Sequence, residues 1–541
     1  MKRKKPFLAA LSAALCLSLA LSGCGGTPAA STTSPEGTQQ AEAGGKVLNI
    51  ATGGEMNNLS TIIMDPNNTC AQKLVYETLV IYDDGDFKPG LADSWDWSDD
   101  HTALTFHLHQ GVVFHDGTPF NAEAVKACLE YYVSNPNNGF LKGISTISSV
   151  DAVDESTVTV HYSAPYFAVL NDLSSADVVG MISPSSFEPG NFKSLKSFVG
   201  TGPYKYGEFV SGEYTTFTRN EDYWGEAPYW DEVVAKYIPD SASRLKALQT
   251  GEVDLIFGSA MLTYDDYEQA ITLPNVKGQI AQQDERTRNI VVNASGQMCA
   301  DVNVRRAVAM SIDKQALSTG LTYGYENAAD RLFPEGTAHT DCQMNNTWSY
   351  DPEGAKALLD ENGWVVDPST GIREKDGVPL HMVFTYQEEV SINESIATAI
   401  KSQLAQVGID VTLSGMEQML WWQADMGGDY DLTIWNTNAR ATVPQTYFSP
   451  WLDSSAGYAA TLGLPEKADV DAAIHEYMTT ADDARVDEIF RYLLNFSNDQ
   501  VIDIPLTYTK EMIVYNSEKI ADYQFFGYSE FFDLFGLQPA G

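Results

Sequence analysis

The feature that most constrains this chain is a recurring unit in which a helical stripe of apolar residues meets a glycine and then a short alternating strand. Ile396, Ile400, Leu404 and Val407 mark one helical face, Gly408 supplies a left-handed stop, and Ile409-Asp-Val-Thr-Leu alternates as a half-buried strand does. Residues 241–257 follow the same plan: Ser241 or Ser243 caps a helix carrying Leu245 and Leu248, Gly251 ends it, and Val253 to Phe257 forms a strand. Asp351-Pro352 opens another helix with a cap and a first-turn proline, with Leu358 and Leu359 on its buried side and Gly363 at its end. Strand and helix patterns alternating in this way point to α/β or α+β layers, in which ligands bind beyond the carboxyl ends of the strands. The chain has 541 residues, too many for one core, so two or more domains are expected.

The address is written at the start. Lys2, Arg3, Lys4 and Lys5 precede an apolar stretch from Pro6 to Ala20 that is too short to span a bilayer, the pattern of a secretory signal over residues 1–23. It ends in Leu21-Ser22-Gly23-Cys24, which resembles the bacterial lipobox, and that resemblance makes Cys24 the lipid-bearing N-terminus of the mature chain. Residues 24–45 are Gly, Thr, Ser, Pro, Ala, Gln and Glu, a composition with too little apolar surface to offset the entropy of ordering it, so they read as a flexible tether. The expected location is the extracytoplasmic face of the cell membrane, with a body that is a monomer in water.

With 33 basic against 73 acidic residues, the net charge of −40 excludes nucleic acid as a partner and makes any basic residue in a cleft informative. Beyond the leader and Cys24 the cysteines are Cys70, Cys128, Cys299 and Cys342, without a C-x-x-C pair, and they are expected to be mostly small buried residues. His107 and His109 lie two apart and would share a strand face, a spacing that can grip a metal, but no third ligand is fixed nearby and solvent-facing side chains, His115 included, are the expected outcome. No cofactor is expected, a metal entering only as part of a bound solute. There is no H-E-x-x-H, G-x-S-x-G or G-x-x-x-x-G-K-[ST] sequence, so a surface hydrolase is the remote alternative to a binding protein.

Several segments occur in a telling order. They are Leu91-Ala-Asp-Ser-Trp, residues 105–123 with Gly111 and Asp116-Gly117-Thr118-Pro119, Gly200-Thr-Gly-Pro-Tyr, Arg219-Asn-Glu-Asp-Tyr-Trp-Gly, Ala247-Leu-Gln-Thr-Gly-Glu-Val-Asp, Asn303-Val-Arg-Arg-Ala-Val-Ala and Tyr350-Asp-Pro-Glu-Gly-Ala-Lys-Ala-Leu-Leu. Each has a scaffold reading. Asn121 caps a helix whose inner face carries Val125, Cys128 or Leu129, and Tyr132, while Gly200 and Gly202 suit a tight turn between domains. Together they resemble the family 5 extracellular solute-binding proteins, which include the nickel-, dipeptide- and oligopeptide-binding components of ABC importers.

That resemblance implies an α/β, two-lobed periplasmic-binding-protein-like fold of type II: a first lobe at 46–285 with an extra domain at about 85–199, a second lobe at 286–505, and a return to the first lobe at 506–541. It implies lobes that close over a small solute and an importer permease that reads the closed shape. Peptide binders of the family hold the ligand's amino group with an aspartate, yet the matching stretch, Ile434 to Thr442, contains no acid and does contain Arg440. A carboxylate-bearing solute, such as a nickel or other metal chelate, therefore fits better, with a peptide taken up or sensed as the alternative. Arg440 and Arg288 are the expected anion partners. Trp435, Phe140 and Met64 are the expected apolar walls, with Thr69 beside them. Trp421-Trp422 is either a stacking platform or packing.

Overall fold

A computed structural model of the chain describes residues 46–541, apart from 61–65, 84–85, 136–141, 168, 176–178, 189, 192–193, 259–260, 391, 440–443, 481 and 528–532. Cys24, Met64, Phe140 and Arg440 lie outside the described residues.

Three sheets organise the body. A seven-stranded sheet has the spatial order Val276–Ile280, Met512–Asn516, Leu255–Phe257, Val47–Thr52, Glu232–Tyr237, Tyr214–Arg219 and Tyr204–Val210. A six-stranded sheet runs Asn327–Ala328, Asp503–Thr509, Arg286–Val292, Leu432–Asn436, His381–Gln387 and Asp410–Met416. A four-stranded antiparallel sheet is made of Ala92–Trp97, Ala103–Leu108, Thr157–Tyr162 and Ile147–Ala152.

The helix-to-strand units fold as their patterns dictate. Ile396, Ile400, Leu404 and Val407 are buried along and just beyond the helix Asn393–Ala405. Gly408 then takes φ +85° and releases the chain into the strand Asp410–Met416. Those four side chains pack with Phe384 and Ile434 in one core of the six-stranded sheet. In the helix Pro352–Glu361, Asp351 accepts the Gly354 N–H at 2.9 Å and Leu359 is fully buried. Asn121 caps Ala122–Ser134 by accepting the Ala124 N–H, and Val125, Cys128, Leu129 and Tyr132 all face inward. The helix Ser241–Thr250 differs from expectation at one end: its cap is Asp240, a stronger acceptor one residue earlier, which takes both the Ser243 N–H at 2.8 Å and the Ser243 hydroxyl at 2.6 Å.

Gly200 and Gly202 are required for close approach rather than for turn geometry. A Cβ on Gly200 would lie 2.0 Å from the Val75 carbonyl oxygen, and one on Gly202 would lie 2.6 Å from that of Leu74, at the end of the helix Pro66–Val75. The same packing draws His115 inward, contrary to the solvent-facing expectation. Its Nδ1 accepts the Gly200 N–H at 3.3 Å and its Nε2 donates to the Gly202 carbonyl at 2.9 Å, and burial depresses its pKa to about 4. Cys70, Cys128 and Cys299 are buried and Cys342 is half-buried.

Glu77 explains why several of the ordered segments coexist. Its half-buried carboxylate accepts from the Thr201 hydroxyl (2.7 Å), the Tyr223 hydroxyl (2.9 Å) and the Trp224 indole N–H (2.9 Å). Thus Gly200-Thr-Gly and Arg219-Asn-Glu-Asp-Tyr-Trp-Gly converge on one acid, whose pKa burial raises in spite of the three donors.

Candidate functional site

Strand direction locates the site. His381–Gln387 runs parallel to Asp410–Met416 and to Leu432–Asn436, so Gln387, Met416 and Asn436 stand at one carboxyl edge. The antiparallel strand Arg286–Val292 begins at that edge, and Asp503–Thr509 ends there. In the seven-stranded sheet, Val47–Thr52, Glu232–Tyr237 and Leu255–Phe257 are parallel and finish at a second carboxyl edge, where Val276–Ile280 ends and Met512–Asn516 begins.

Two short segments, 281–285 and 510–511, therefore join one carboxyl edge to the other. They are tied to each other by Ala281 N–H to Glu511 O (2.9 Å), Glu285 N–H to Thr509 O (2.8 Å) and the Lys510 ammonium to Gln282 O (2.6 Å). Lys510 also pairs with Asp284 at 3.1 Å. Paired extended connections of this kind can bend together while holding the edges opposite one another, which is what a ligand-closing hinge requires.

Beside these connections a patch of tyrosines and carboxylates ties the halves. Tyr264, on the helix Tyr264–Ala270 of the first half, donates to Glu326 at 2.9 Å, and Tyr325 of the second half donates to Glu268 at 2.6 Å. Tyr323 donates to Asp265. The rings of Tyr264 and Tyr325 stack with centroids 5.8 Å apart and planes 15° apart, and Tyr267 meets Tyr325 edge-on at 5.6 Å. A second contact lies away from the hinge, where the Phe167 N–H donates to the Met478 carbonyl at 3.0 Å.

Arg288, expected to grip a ligand anion, is committed inside the protein. Its guanidinium pairs with Glu326, and both side chains are almost fully buried at 4% and 0% exposure. It also donates to Thr507 at 3.1 Å. Its charge is thus met by an acid 38 residues away that no local pattern announces. Thr69 is buried in the helix Pro66–Val75.

Trp435 is half-buried near the end of its strand and stacks on Trp421, with centroids 4.8 Å and planes 29° apart. Trp421 sits in the first turn of the helix Gln418–Gly427, and its indole N–H donates to the Thr433 hydroxyl at 3.1 Å. Thr433 in turn donates to Asp425 at 3.2 Å, and Thr385 donates to the other oxygen of Asp425 at 3.4 Å. Burial raises the Asp425 pKa to about 8 against these two donors. The neighbouring Asn436 Oδ1 and Thr287 Oγ1 are buried atoms without a hydrogen-bond partner.

His107 and His109 are each given to an aspartate, Asp96 at 3.3 Å and Asp93 at 2.8 Å. Among the described residues no group of three or more His, Cys, Asp and Glu side chains could hold a metal ion. Nor among them is any helix long and apolar enough to cross a membrane.

Residues 86–459 match the model of the bacterial extracellular solute-binding proteins, family 5. The chain belongs to that family. Among its relatives is a nickel-binding periplasmic protein of Escherichia coli K12, 30% identical over 465 residues that cover 85% of this chain and 88% of the relative. A putative ABC transporter peptide-binding protein of Brucella ovis is 28% identical over 352 residues, 62% of each chain. The crystal structure of NikA from Brucella suis in complex with Fe(III)-EDTA superposes with a TM-score of 0.86 at 30% identity, covering 91% of this chain and all of that one. The nonapeptide-bound oligopeptide-binding protein AppA of Bacillus subtilis shares the fold, with a TM-score of 0.78 at 19% identity. The two-lobed type II architecture expected for this family 5 protein is therefore its fold.

Proposed function

We propose that this chain is the lipid-anchored receptor of an ABC importer, which captures a small carboxylate-bearing solute, a metal chelate foremost, and delivers it to the membrane permease without chemical turnover. The observation that carries this reading is the pair of carboxyl edges joined by two short connections in a chain whose 30% identical relative was crystallised around Fe(III)-EDTA. Arg440, just beyond the strand Leu432–Asn436, is the residue assigned to the solute's carboxylates, and Arg288 is withdrawn from that role by Glu326. Cys24 carries the lipid and residues 24–45 form the tether. Sheet membership favours lobe boundaries at 281–285 and 510–511, a few residues beyond the return expected near 505.

Native mass spectrometry with elemental analysis, followed by calorimetric titration with Fe(III)-EDTA, tests the reading. A bound metal with a carboxylate chelator, and a few kcal/mol lost on Arg440→Ala, is the expected result. A co-purified peptide with no response to the chelate would transfer the protein to the peptide-binding alternative. Cys24→Ala should release the protein from the membrane or leave it unprocessed.

A further inference from the structure

We infer that the solute presents a flat unsaturated ring to the stacked pair Trp421–Trp435, an inference that rests on the reading of the carboxyl edges as the ligand cleft. Both indoles stand at the carboxyl edge of the six-stranded sheet, one from the first turn of a helix and the other from the end of a strand. Both remain only half-buried although each already covers a face of the other. Trp421 is pinned by its N–H to Thr433, and Thr433 lies two residues before Trp435 on the same strand, hence on the same face of the sheet. Trp421 thus cannot rotate away from Trp435 without leaving the Thr433 hydroxyl, itself bound to buried Asp425, short of a donor. A pinned indole pair with residual exposure is a pre-organised stacking surface, which loses little side-chain freedom when a ring settles on it.

The polar groups nearby match a ring rather than a carboxylate. Thr287, two residues before the Asn289 that pairs with Trp435 and so on the same face of the sheet, offers a buried hydroxyl oxygen without a partner, and the exposed acids at this edge are Glu388, Glu389 and Glu417. An anionic group stacked on the indoles would meet these acids, whereas a ring with an electron-poor edge would meet π faces and oxygen. The solute's ring therefore lies toward Trp421–Trp435, and its carboxylates turn away from these acids.

Two nickel(II) complexes test this, those of pyridine-2,6-dicarboxylate and of iminodiacetate. Both ligands offer two carboxylates and one nitrogen, but only the first places the nitrogen in an aromatic ring. Calorimetry on the intact protein should show at least tenfold tighter binding of the pyridine complex, a preference lost in Trp421→Leu and partly kept in Trp421→Phe, which retains a ring at that position. Equal affinities for the two complexes overturn the ring inference and leave the solute-binding reading in place. So does a protein that binds Fe(III)-EDTA and neither nickel complex. Binding of none of the three overturns both. Should Trp421→Leu fail to fold, the wild-type preference and the Trp421→Phe titration decide.

Discussion

The two halves meet in two chemically opposite ways. Beside the hinge, Tyr264, Tyr323 and Tyr325 each find a carboxylate on the facing half, and Arg288 finds Glu326, so the chain satisfies these groups itself. At the carboxyl edge a few residues away, Asn436 Oδ1 and Thr287 Oγ1 are buried without partners, and two indoles stay partly exposed. A buried polar atom left unpaired costs about 1–3 kcal/mol. On the proposed function, the contrast separates the part of the molecule that holds the halves together from the edge that receives the solute.

The largest effect that could break this contrast lies at Glu326. Glu326→Ala strands the buried guanidinium of Arg288 and removes the acceptor of Tyr264, and should destabilise the protein by about 3–5 kcal/mol in urea denaturation. A loss within about 1 kcal/mol would show that Arg288 reaches solvent or another acid, and would restore it as a candidate for the ligand's anion.

Asp425 sharpens the comparison from behind the edge. Burial lifts its pKa from 3.8 to about 8, so the folded protein holds a proton there that the unfolded chain releases above 3.8. Its contribution to stability is complete below 3.8 and is lost as pH rises through 8. Tyr430, its ionisable neighbour, stays protonated over this range because burial raises its own pKa well above 10. Asp425→Asn removes this dependence. Relative to wild type, its melting temperature should climb by a few degrees between pH 5 and pH 9 in thermal unfolding, and a flat difference would mean that the carboxyl is ionised and solvated throughout.

Much of the scaffold was legible because it is locally determined. The caps Asn121 and Asp351, the stops Gly251, Gly363 and Gly408, and the inward face of the helix Asn393–Ala405 each depend on residues within a few positions. Even the misplaced cap, Asp240 in place of Ser241 or Ser243, errs by a single turn of chemistry. What sequence reading missed is long-range. Nothing near His115 announces that both its nitrogens will be used by Gly200 and Gly202, and nothing near Arg288 announces Glu326 or Tyr264. Trp421 and Trp435 are 14 residues apart on different elements, so no periodicity links them. A carboxyl edge can be inferred from helix-to-strand grammar, whereas the side chains that line it are assembled by the sheet.

Tyr325→Phe tests the satisfied side of the comparison with little disturbance of packing. The ring can keep its stack on Tyr264 while the hydrogen bond to Glu268 disappears, so a loss of about 1–2 kcal/mol in equilibrium unfolding is expected. A neutral result would mean that water replaces the hydroxyl at no cost and that this flank is wetter than its tyrosine stacking implies.

The smallest effect on stability is the most pointed. Asn436→Ala deletes a buried acceptor that has no donor within the protein, so relief of its unpaired burial offsets the packing lost with the amide and unfolding free energy should change by no more than about 0.5 kcal/mol, unlike the loss at Glu326. On the proposed function, affinity for the solute should fall in the same variant, because an unpaired acceptor at the carboxyl edge is removed. Stability and binding thus separate at Asn436, whereas at Glu326 a stability loss comes first and any binding loss follows from it. A strong loss of stability with Asn436→Ala would show that its side chain is already engaged in holding the edge, and the distinction between a self-satisfied flank and an open edge would fail at its most specific point.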